Sequence, residues 1–82
     1  MSKVVIGGTY RHFKDKLYLV KDLAIDCETL EPVVVYQALY GEEKVWVRKL
    51  SDFTTRIDRN REGNITNQSS RFELLPNNQG EM

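Results

Sequence analysis

Pro32-Val33-Val34-Val35-Tyr36-Gln37-Ala38-Leu39-Tyr40-Gly41-Glu42-Glu43-Lys44-Val45-Trp46-Val47-Arg48 is the stretch that decides how this chain folds. From Val33 to Tyr40 it is rich in β-branched and aromatic residues, Gly41 leads a polar turn, and Val45 to Arg48 alternate on the way back, so the whole reads as a β-hairpin. Side chains alternate between the faces of an extended strand. Val33, Val35, Gln37 and Leu39 therefore share one face, and Val34, Tyr36, Ala38 and Tyr40 the other. Both faces are largely apolar, which predicts a central strand covered on both sides.

In the return strand Val45 and Val47 point one way, and Lys44, Trp46 and Arg48 the other. The packing expectation is that Trp46 enters the core while the cation stems lie over its edges. The functional alternative is an aromatic–cationic strip open to a ligand.

Working outward, 82 residues with an apolar fraction of 40% allow one domain with a modest core. Twelve Lys and Arg balance twelve Asp and Glu without a basic block. Strong attraction to nucleic acid or to an anionic membrane surface is therefore not expected. The single Cys27 has no internal disulfide partner and fits a reducing, cytoplasmic setting. No apolar run approaches the ~20 residues of a membrane helix, and the N-terminal apolar run is too short for a signal peptide.

Residues 1–8 read as an N-terminal arm, with Val4-Val5-Ile6 as a short edge strand or a sticky segment before Gly7-Gly8. A single domain is expected over 9–76. Tyr10 to Phe13 alternate, and Lys14-Asp15-Lys16 is a turn because Asp tolerates left-handed geometry. Leu17 to Ile25 form the second main strand. Leu17, Leu19, Leu23 and Ile25 are expected on one face, and the polar interruption Lys21-Asp22 marks a bulge or a sharp bend. Asp26 to Pro32 connect the strands, with Asp26 accepting a backbone hydrogen bond. Ser51 is expected to cap a short turn that tucks Leu50 and Phe53 inward. Thr54 to Ile57 suit a further strand. Residues 58–70 read as a mobile loop, Arg71 to Leu75 as a last strand, and 77–82 as a disordered tail. The sum is an all-β fold with at most one short helical turn, a small, partly open SH3-like barrel of five or six antiparallel strands.

Several of these segments together resemble a family of short bacterial proteins, or domains of longer ones, classed as a domain of unknown function. Its pattern runs roughly YRHFKG, a Tyr-x-Val strand, HSETLE, VVYQALYG, WVRPL and a following Phe. Tyr10-Arg11-His12-Phe13-Lys14, Tyr18-Leu19-Val20, Glu28-Thr29-Leu30-Glu31, Val34 to Gly41, Trp46-Val47-Arg48, Phe53 and Arg71-Phe72 match it. Asp15 replaces a Gly, Asp26-Cys27 replace His-Ser, Lys49 replaces a Pro, and the segment before Arg71 is longer. The resemblance implies a small β-rich domain and supplies no activity.

The catalytic and metal inventory is short. His12 and Cys27 are the only residues of their kinds, with no spacing that makes them a dyad. A zinc site needs three or four ligands, and no metal or other cofactor is expected. Tyr10, Arg11 and His12 form the most suggestive cluster, and Glu28 is expected to meet Arg11 across the sheet. That pair reads as a structural ion pair, or as part of a polar site for an anionic or nucleobase-like ligand walled by Tyr36, Tyr40, Trp46 and Arg48. The leading expectation is a non-catalytic binding module for a protein or a small anionic ligand, with nucleic acid less favoured and membrane not expected. The alternatives are a minor enzyme or accessory domain of nucleotide or RNA metabolism using His12 and Glu28 as an acid–base pair, and a structural homodimer paired through Val4-Val5-Ile6.

Overall fold

The computed structural model describes residues 4–76, so the tail expected at 77–82 lies outside the described residues. Five antiparallel strands make one open sheet: β1 (Thr9–His12), β2 (Lys16–Ile25), β3 (Pro32–Ala38), β4 (Val45–Lys49) and β5 (Phe72–Leu74), in the order β4-β3-β2-β1-β5. One short helix, α1 (Leu50–Phe53), follows β4. The architecture is nearly all-β and consistent with a small, partly open barrel.

The turns follow from local chemistry. Asp15, at φ 64°, lets the β1–β2 hairpin close, with its N–H donating to His12 O at 2.7 Å. Gly41, at φ 58°, opens the β3–β4 turn. Asp26 Oδ1 accepts from the backbone N–H groups of Glu28 and Thr29 and so fixes the β2–β3 turn. Pro32 is the first residue of β3, a position where its missing N–H costs no internal ladder bond.

Within β2 the register slips between Val20, opposite Tyr36, and Asp22, opposite Val35. Lys21 is thus the extra residue of a bulge, and it reverses the alternation expected for β2. Leu17 and Leu19 lie on one side of the sheet, whereas Leu23 falls opposite buried Val34 on the other.

The core lies on the face carrying Tyr10, Val20, Val34, Tyr36 and Phe72, and Phe53 of α1 plugs it. The opposite face is not sealed. Val33, Val35 and Gln37 are only partly covered, and Val45 and Val47 are 55% and 64% exposed. The expectation of a strand covered on both sides therefore fails among the described residues: they supply one helix to cover the sheet, and that helix serves one face. Phe53 is 1% exposed and stacks on Phe72 at 4.1 Å, but Ser51 caps nothing. The residue before α1 is Lys49, with no side-chain cap.

The strand expected at Thr54 to Ile57 shrinks to one bridge between Arg56 and Ser70. Beyond it Asn64 and Gln68 organise the chain. Gln68 is 3% exposed, donates to the carbonyls of Arg11 and Ser70, and accepts from Arg11 Nε. Val4 to Gly8 fold back on β2, with Gly7 N–H donating to Val20 O and Val20 N–H donating to Gly8 O.

Candidate aromatic–cationic site

The register of β3 and β4 sets the site. Trp46 stands opposite Tyr36 and Arg48 opposite Val34, so both share the core-side face of the sheet. On the same face β1 places His12 opposite Phe72, and β2 places Tyr18 opposite Ala38. Phe72 is the hub of this face. His12, Tyr18 and Tyr36 meet its ring edge-on at 5.0, 5.6 and 5.5 Å, a favoured geometry for aromatic quadrupoles.

At the outer end of the face, Trp46 and Tyr40 are 51% and 41% exposed. Trp46 is therefore not core: β4 is an edge strand, and the core is already filled by Phe53 and Phe72. Together with Ala38 and the turn Gly41–Lys44, Trp46 and Tyr40 line a recess of about 150 Å³. Tyr40 is held in place. Its hydroxyl lies 2.6 Å from the Tyr18 hydroxyl, and Lys16 Nζ sits 5.1 Å from its ring centroid. Burial, followed by that hydroxyl bond, raises the Tyr18 pKa and keeps the phenol protonated.

At the inner end Arg48 donates through Nε to the Tyr36 hydroxyl at 3.2 Å and through Nη1 to Asp52 Oδ2 at 2.7 Å. Asp52 Oδ1 lies 3.7 Å from Arg71 Nη2. Arg48 belongs to one edge of the sheet, and Arg71 precedes the strand at the other. Asp52 on α1 thus bridges the two edges, above the Phe53–Phe72 stack. His12 Nδ1 accepts the Lys14 N–H at 3.1 Å. Burial first, then the charges of Arg71, Arg48, Lys14 and Arg61, lower its pKa to about 4. At neutral pH the imidazole is uncharged, and its single proton is on Nε2.

A family described as "Protein of unknown function (DUF1653)" matches residues 8–74. The chain belongs to this family. It is also similar to a crystal structure of a DUF1653 protein from Bordetella bronchiseptica, at 32% identity and a TM-score of 0.69, covering 84% of this chain and 85% of that one. No curated protein matches it. The DUF1653 segment contains all five strands, α1 and every residue of the face just described.

The DUF1653 fold brings together His12, Tyr36, Tyr40, Trp46 and Arg48 and leaves Arg11 and Glu28 apart. Arg11 points to the opposite face of β1 from His12, where it faces Asp15 at 3.8 Å and Glu73 at 3.9 Å. Glu28 is exposed in the β2–β3 turn. His12 pairs with the Lys16 end of β2, whereas Glu28 lies beyond the Ile25 end. The length of β2 separates them, on the order of 30 Å of extended chain. Neither the Arg11–Glu28 pair nor the His12–Glu28 acid–base pair is formed. Asp52, Arg71 and Gln68 were not legible as site or core residues, since each is a lone polar side chain in a polar stretch. Among the described residues no three His, Cys, Asp or Glu are grouped as metal ligands, and no helix is long and apolar enough to cross a membrane.

Proposed function

We propose that this DUF1653 chain is a non-catalytic binding module that takes its ligand on the face bearing Tyr40, Trp46, Arg48 and His12. The observation that carries this reading is the half-exposed Trp46. A large apolar side chain stands in water beside a second exposed aromatic, at a recess sized for one side chain of a partner, and contributes little to the core. Tyr40 and Arg48 are already fixed by Tyr18, Lys16, Tyr36 and Asp52, so a ligand meets an ordered surface at little entropic cost. The mixture of aromatic faces and cations suits a protein segment or a small anionic ligand. The exposed, free Cys27 favours a reducing compartment such as the cytoplasm.

A fragment screen read by backbone and indole ¹H–¹⁵N shifts tests the reading. Hits are expected to move Trp46, Tyr40 and Arg48 together and to vanish in Trp46→Ala while the rest of the spectrum is preserved. Hits confined to other surfaces, or unaffected by Trp46→Ala, refute it.

A further inference from the structure

The inner end of the face holds more positive charge than the protein neutralises. Arg48 and Arg71 share one carboxylate. Asp52 lies at 2.7 Å from the first, a short charge-assisted bond, but at 3.7 Å from the second, beyond hydrogen-bond reach. The Arg71 side chain is 19% exposed, and its Nε–H is sealed from solvent with no acceptor among the described residues. A buried donor left unpaired is costly, and more so when charged, so Arg71 gains from further negative charge brought to the accessible part of its guanidinium.

The surroundings select the partner. Within the described residues no hydrogen bond is made by Arg48 Nη2, Arg71 Nη1 or His12 Nε2. Arg48 and His12 converge on one ring, with Arg48 Cζ 5.9 Å and the imidazole 5.0 Å from the Phe72 centroid, and Arg71 adjoins Phe72 in the chain. Arg61, over the neighbouring Phe13 ring at 4.8 Å, adds to the field. Planar guanidinium forks beside a neutral N–H donor and low-dielectric rings suit an acceptor with several oxygens and negative charge.

We propose that Arg48, Arg71 and the Nε2–H of His12 form an oxyanion site, which receives a carboxylate or phosphate group of the ligand whose remainder lies against Trp46 and Tyr40. The anion meets Arg71 at its Nη groups, offsets the charge that the sealed Nε–H leaves unpaired, and relieves Asp52 of serving two cations. The position of the ligand's apolar part rests on the reading of the aromatic face given above; the anion site itself does not.

Arginine-selective ¹H–¹⁵N spectra of the full chain test this at constant ionic strength with sodium chloride as reference. Inorganic phosphate, phenyl phosphate and benzoate are titrated separately. The Arg71 and Arg48 Nε–H signals are expected to shift saturably with at least one oxyanion, and the stronger arm identifies the group as phosphate or carboxylate. Arg71→Lys keeps the charge but loses the fork and weakens binding by about tenfold. Asp52→Asn removes the competing carboxylate and strengthens binding, a gain that a purely structural Asp52 would not produce. Shifts that never saturate and match those in chloride overturn the proposal. If phosphate saturates the arginine signals while phenyl phosphate leaves the Trp46 indole unmoved, the oxyanion site stands and the aromatic-face reading falls. The converse result sinks the oxyanion site alone.

Discussion

Replacing Phe53 by Ala removes the plug that joins α1 to the sheet. The ring is 1% exposed, stacked on Phe72 at 4.1 Å and 3°, and edge-on to Tyr10 and Tyr36 at 5.4 Å each. Truncation of a buried Phe costs about 3–5 kcal/mol from lost transfer energy and the cavity left behind. Phe53 also borders a surface recess of about 340 Å³ lined by Thr54, Arg56 and Ser70 among others. The new void therefore opens to water rather than staying empty, which places the loss near the lower end, about 3–4 kcal/mol. A domain of this size has a total stability on the order of 4–12 kcal/mol, so the variant is marginal at room temperature. Each kcal/mol lowers Tm by about 4–8 °C here, giving a fall of roughly 12–30 °C. Urea unfolding followed by far-UV circular dichroism measures the change, with Phe53→Leu, which keeps most of the side-chain volume, as the milder control expected to lose about 1–2 kcal/mol. A loss below about 1 kcal/mol for Phe53→Ala refutes the idea that a four-residue helix closes this sheet.

Trp46→Ala should change stability by less than about 1 kcal/mol, because the ring is 51% exposed, so its melting curve nearly overlays the wild type. His12 has a pKa of about 4 in the fold against an ordinary value of 6.5, so the unfolded chain takes up its proton first. Its contribution to stability is whole above pH 6.5 and is lost as pH falls toward 4, and His12→Gln should flatten that part of the urea-midpoint profile. A methyl group on Gly8 would meet Leu74 Cδ1 at 2.9 Å and Val5 O at 3.0 Å, so Gly8→Ala should destabilise by about 1–3 kcal/mol in the same assay.

The hairpin, the bulge and the Asp15 and Asp26 turns were legible because each rests on local chemistry: alternation, a polar break in an apolar run, a side chain able to cap its own backbone. The covering of the second face was not. Val33-Val34-Val35 has the composition of a doubly buried strand, yet only counting the elements left to cover it reveals that one face has no lid among the described residues. Trp46 failed for the same reason, since its burial depended on whether β4 lay inside the sheet or at its rim. Of the site, the aromatic–cationic row of Trp46 and Arg48 was visible in the alternation. Its counter-charge was not, because Asp52 and Arg71 meet only when α1 folds across both edges. Arg11 was drawn to Glu28 by charge alone, whereas the strand phase sends it to Asp15 and Glu73.

Lys21 has a consequence for how the chain tolerates change. Its side chain is exposed, so nearly any substitution there should pass unnoticed. Losing the residue altogether is another matter. Without it the ladder would keep its phase, because Val20 already faces Tyr36 and Asp22 already faces Val35, and Leu23 would stay beside Val34; what would vanish is the bulge and the local bend and added twist it gives β2. A residue whose loss would leave every pairing partner in place governs curvature alone, so Lys21 sets how far the ribbon bends and not which side chains it buries.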